Sequence, residues 1–178
     1  MVSIDIFVEK NKNDDQTELL DIIGTARVII NEKPIPEEYF PNGLNFRLYE
    51  TAFEALDLLG NLIDGSDEML KAEFCYSGNY LMAQKQGNKL ENVHVELMFN
   101  PRIVDDEKIL DGSDYQDTVP FADLAREIML FAILVYETIV EINPELEESM
   151  IDMQNTIFDY QQQLEEKFQI SLFPPEDV

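Results

Sequence analysis

The sequence predicts an α+β fold: an antiparallel sheet of about four or five strands, packed on one face by an amphipathic helix and a C-terminal long helical hairpin. Three observations carry it. Val93, Val95, Leu97 and Phe99 alternate with Asn92, His94, Glu96 and Met98, the period of a strand with one buried face. Ala52, Phe53, Leu56, Leu59 and Ile63 recur at helical spacing, while Glu50, Glu54, Asp57 and Asn61 fall on the opposite side. Ile128 to Tyr136 is the most apolar run in the chain, inside a helical stretch from Val119 that folds back at Asn143-Pro144 and continues to Phe168.

In chain order, Val2, Ile4, Ile6 and Val8 give a first strand. Residues 11–16 are polar and read as a loop, and Thr17 to Ile23 reads as a short helix or the approach to a strand. Gly24 is expected to break that segment before a β-branched strand over residues 25–31, and the prolines 34, 36 and 41 with Gly43 predict an extended loop. Phe46 and Leu48 read as a short strand or as the lead into a helix over about residues 49–64, which Gly65 should end in the left-handed conformation. Leu70 to Tyr76, Tyr80 to Lys85 and Val93 to Phe99 then form a three-stranded meander. Residues 101–117 are expected as a long acidic loop.

In the hairpin, Asp117 or Thr118 is expected to cap the first helix with Pro120 in its first turn. Asn143 is expected to cap the second, with Pro144 at its first position and Glu145, Glu147 and Glu148 at the positive end of its dipole. Met150, Met153, Ile157, Tyr160 and Leu164 repeat at spacings of three and four, a narrow core stripe on a half-exposed helix. Residues 169–178 are expected as a loose tail, and the 178 residues as one domain, mainly sheet with one helix over 1–117 and hairpin over 118–168.

Charge is the strongest compositional signal. With 37 acidic and 12 basic residues the formal net charge is -25, of which -14 falls in the last seventy residues. Such a surface repels polyanions, so direct binding to nucleic acid or to an anionic membrane is not expected, and a basic protein partner is. Ile128 to Tyr136 is nine residues long, short of the roughly eighteen of a membrane span. The N-terminus has a strand pattern rather than that of a secretory leader, and Cys75 is the single cysteine, which together predict a cytoplasmic protein.

No chemistry-bearing motif stands out. His94 shares a strand face with Glu96, and Cys75 lies on a neighbouring strand, but nothing near Cys75 would lower a thiol pKa. Asp105, Asp106, Asp111, Asp114 and Asp117 suit hard cations, yet neither segment has the EF-hand glycine or closing glutamate. There is no phosphate loop, nucleophile elbow or dinucleotide fingerprint, so no catalytic residue, metal site or cofactor is assigned. Tyr39-Phe40-Pro41-Asn42-Gly43 is read as a contact loop or as a loop pinned to the core.

The expectation is therefore a non-enzymatic acidic binding protein, an inhibitor or immunity-type protein that masks a basic partner such as a nuclease toxin or another nucleic-acid-binding protein. Its candidate face is the outside of the last helix, carrying Glu147, Glu148, Asp152, Asp159 and Glu166. Two alternatives stand beside it: a structural or assembly protein forming a homodimer through the helical hairpin, and a carboxylate-based divalent-metal enzyme.

Overall fold

The computed structural model describes residues 2–7, 18–19, 22–30, 33–34, 44–74, 79–98, 103–104, 107–108 and 116–173. The fold is α+β, as the periodicities predict, with its strands distributed over two four-stranded antiparallel sheets and a two-stranded ribbon. In the first sheet β1 (Val2–Phe7) pairs with one edge of β2 (Ile23–Ile30), and β3 (Lys33–Pro34) and β4 (Leu44–Arg47) share the other. Gly24 does not break the segment. It lies buried inside β2, opposite Phe46 of β4, because pairing on the ladder outweighs the roughly 0.5–1 kcal/mol that glycine costs a strand.

Helix α1 (Leu48–Ile63) follows β4 without a loop, and its first amide donates to the Ile22 carbonyl at 3.1 Å. Its inward face buries Leu48, Ala52, Leu56, Leu59 and Leu62. At its end Gly65 is left-handed (φ 86), while the Gly65 and Ser66 amides donate to the carbonyls of Leu62 and Asn61, a Schellman cap. Lys85 closes over this turn, with Nζ 2.7 Å from Asp67 Oδ1.

The meander is present as β5 (Leu70–Phe74), β6 (Asn79–Gln86) and β7 (Asn92–Met98), with Val93, Val95 and Leu97 buried. The segment expected as an acidic loop contributes strands instead. Ile103–Val104 (β8) pairs with Glu107–Lys108 (β9), and Gln116–Pro120 (β10) adds a fourth strand beside β7, giving the order β10-β7-β6-β5. Five residues with one strongly apolar side chain carry almost no period-two signal. What holds β10 is the long-range pairing that sets the fully buried Val119 opposite Val93.

Pro120 consequently stands one position before α2 (Phe121–Ile142), and neither Asp117 nor Thr118 caps that helix. Its first amide is satisfied by the Glu91 carbonyl at 2.9 Å, and Asp117 Oδ1 accepts from the adjacent Thr118 amide at 2.8 Å. Helix α2 is the central element, in contact with α1, β1, β10 and the last helix. Along it Leu124, Ile128, Met129, Ala132, Val135 and Ile139 have no exposed surface.

Asn143 caps as expected, its side chain accepting from the Glu145 amide at 3.1 Å, but the residues after it do not at once form an α-helix. Two 3-10 turns, Pro144–Leu146 and Glu148–Met150, precede α3 (Ile151–Phe168). They tuck Leu146 partly and Met150 completely against the core, and tertiary packing of those side chains overrides the local helical pattern. Phe121 and Phe168 meet edge to face at 5.1 Å, which sets the end of α3 against the start of α2.

Beyond α3 the chain is not loose at once. Gln169 turns left-handed (φ 58), Ile170 and Leu172 are buried, and Arg126 Nε donates to the Ser171 carbonyl at 3.0 Å. Residues 174–178 of the expected tail lie outside the described residues.

Candidate functional site

The core stripe of α3 runs where its spacing places it, with Met153 and Leu164 buried and Ile157 and Tyr160 half-buried. The rest of the helix circumference is open. Asp152, Asp159 and Glu166, spaced by seven, form one exposed row that drifts only about 20° per seven residues. Glu147 and Glu148 are exposed too, but they precede α3, in the tight turns. Glu147 faces α2, where the Tyr136 hydroxyl donates to its Oε1 at 3.5 Å and accepts from Gln154 Nε2 at 3.2 Å. The acidic face expected from the sequence is thus divided: three carboxylates form a row and two sit apart from it.

The tertiary structure supplies a second acidic row that the sequence did not connect with the first. Helices α1 and α3 run side by side in the same direction, for Tyr49 at the start of α1 feels Asp152 at the start of α3, and Gly60 adjoins Tyr160 farther along. Asp57 on α1 and Asp64 at its C-cap, both exposed, stand at the same spacing of seven. Burial raises the Tyr160 phenol pKa above its ordinary value of 10.0, and the charges of Asp57, Asp64 and Asp159 raise it further. Tyr49 is raised by burial and then by Asp152. Half-buried tyrosines are therefore set among carboxylates from two helices.

Few cations answer these charges. The ion pairs among the described residues are Arg47 with Glu50, Lys85 with Asp67, and Arg126 with Asp123, and none includes Asp57, Asp64, Asp152 or Asp159. Lys167, near the end of α3, turns to Gln163 Oε1 at 2.7 Å. Carboxylates grouped in this way attract cations, and a guanidinium or ammonium can also lie against a tyrosine ring.

The other candidates are less connected. His94 is half-buried on β7, between Gln84 of β6 and Thr118 of β10, with Glu96 two residues on. Cys75, the loop 39–43 and the carboxylates 105, 106, 111 and 114 lie outside the described residues. Asp117 sits on β10, and among the described residues no three His, Cys, Asp or Glu side chains group so as to hold a metal ion. No helix of the described residues is long and apolar enough to cross a membrane. Both hairpin helices pack apolar side chains into the core, while Leu134, Ile151 and Phe158 remain exposed.

Set beside known protein families, curated proteins and solved structures, the chain matches none of them.

Proposed function

We propose that the protein is a non-enzymatic binding protein of the inhibitor or immunity type, which masks a basic partner such as a nuclease toxin or another nucleic-acid-binding protein. The observation that supports this most directly is the pair of carboxylate rows, Asp57 on α1 and Asp64 at its C-cap with Asp152 and Asp159 on α3, that no described cation neutralises. A protein carrying a net charge of -25 pays for it in self-repulsion, and a partner of opposite sign recovers that cost on binding. Enzymes that act on nucleic acid present the matching surface, since their substrate is a polyanion. A cytoplasmic location goes with this reading.

The test is association with a basic nuclease, followed by stopped flow and by loss of nuclease activity. The association rate should fall steeply between about 50 mM and 500 mM salt, and Asp→Asn changes at positions 57, 64, 152 and 159 should flatten that dependence. A rate indifferent to both salt and these substitutions would sink the proposal.

A further inference from the structure

The outer surface of α3 is not purely acidic. Ile151 is 54% exposed and Phe158 61% exposed, two large apolar side chains left in water on an otherwise polar helix face. They are seven residues apart, which stacks them on one ridge about 10 Å long, about 100° around the helix from the ridge of Asp152, Asp159 and Glu166. Asn155 and Gln162 lie between the two ridges. Phe158 takes no part in the ring contact that α3 makes through Phe168. A single exposed apolar residue is ordinary, but a heptad-spaced pair is the spacing by which one helix seats another.

The neighbouring charges decide what could cover the ridge. A second copy of this chain would bring carboxylate rows against carboxylate rows, each on a chain with a net charge of -25. An anionic lipid surface is repelled in the same way. A neutral apolar surface would desolvate Asp152 and Asp159 without pairing them. A basic amphipathic helix satisfies both ridges together, its apolar stripe against one and its lysines or arginines against the other.

Resting on the binding role proposed above, we infer that the partner docks through a basic amphipathic helix lying along α3, with its apolar stripe on Ile151 and Phe158 and its basic flank on Asp152, Asp159 and Glu166. The two ridges have separate duties. Exposed ion pairs are individually weak, so the carboxylates accelerate encounter, while the apolar ridge slows dissociation.

Two synthetic helical peptides of equal length and lysine content test this, one with leucine at heptad positions and one with glutamine in their place. The chain should bind the leucine peptide at least about tenfold more tightly, a difference of about 1.4 kcal/mol. Phe158→Asn, at an exposed position where thermal melting should be unchanged, should abolish that preference while leaving the glutamine peptide's affinity as it was. Asp152→Asn with Asp159→Asn should weaken both peptides alike. Equal binding of the two peptides by the native chain, or a preference that survives Phe158→Asn, overturns the docking inference; if the Asp substitutions still weaken binding, the electrostatic role stands. Binding of neither peptide overturns both. A dimer in sedimentation that Phe158→Asn dissociates would give the ridge to a second copy and overturn the inference as well.

Discussion

The hydroxyl of Tyr160 on α3 occupies the notch that Gly60 leaves in α1. A β-carbon at position 60 would overlap that hydroxyl and stand 2.8 Å from the ring Cζ. Glycine inside a helix costs roughly 0.5–1 kcal/mol relative to alanine, so at an open helix position Gly60→Ala would stabilise. Here overpacking of about 1–3 kcal/mol should outweigh that gain. Urea denaturation should show Gly60→Ala to be less stable than the native chain, and Tyr160→Phe in the same background should return part of the loss. A stabilised Gly60→Ala, or no coupling between the two changes, would remove this contact from the account of how α1 and α3 pack.

Gln169 is the one described non-glycine residue with a positive φ, at 58°. A side chain in that conformation costs about 1–2 kcal/mol, which the burial of Ile170 and Leu172 just beyond it offsets at about 1.5–3 kcal/mol each. Gln169→Gly should therefore raise stability by about 0.5–1 kcal/mol, and Leu172→Ala should lower it by about 2–5 kcal/mol, both read from denaturation midpoints.

Tyr49, Tyr136 and Tyr160 all have phenol pKa values raised above 10.0, each by burial first and by nearby carboxylates second. For Tyr136 the carboxylate is Glu147. A raised value in the folded chain means that the folded state holds the proton more tightly than the unfolded one. The stability this contributes is complete below pH 10 and is lost as pH rises through the folded values. Melting temperature should fall above pH 10, phenolate absorbance should show tyrosines ionising later than free tyrosine, and Tyr160→Phe should remove part of the alkaline loss.

Screening should stabilise this chain. At a net charge of -25 with its acidic rows unpaired, adding neutral salt weakens self-repulsion as the screening distance contracts from about 10 Å at 0.1 M to about 3 Å at 1 M. Thermal melting in rising sodium chloride should move upward, and Asp57→Asn with Asp159→Asn should reduce the shift. A melting temperature that falls with salt would contradict it.

The elements best read from the sequence are those whose signal is local and repeated. The α1 periodicity, the Met153–Leu164 stripe, the Val93–Leu97 alternation and the Gly65 cap each repeat or sit at a defined chain position, and each is found where expected. The misread places depend on partners distant in the chain. β10 is held by β7, Gly24 by β4, and the turns before α3 by the burial of Leu146 and Met150. The candidate face shows the same division. Asp152, Asp159 and Glu166 were legible as a row because seven residues bring a helix back to nearly the same side, whereas Glu147 and Glu148 left it when the helix began later.

By itself, the sequence determined the α+β class, the amphipathic helices and a net charge of -25, because composition and short-range period are properties of the chain wherever it folds. Only the tertiary structure decided that α1 and α3 lie side by side, that Asp57 and Asp64 join Asp159 around Tyr160, and that Ile151 and Phe158 stay in water. Those relations are set by which helix faces the core consumes, and no local pattern records how two helices a hundred residues apart share one surface.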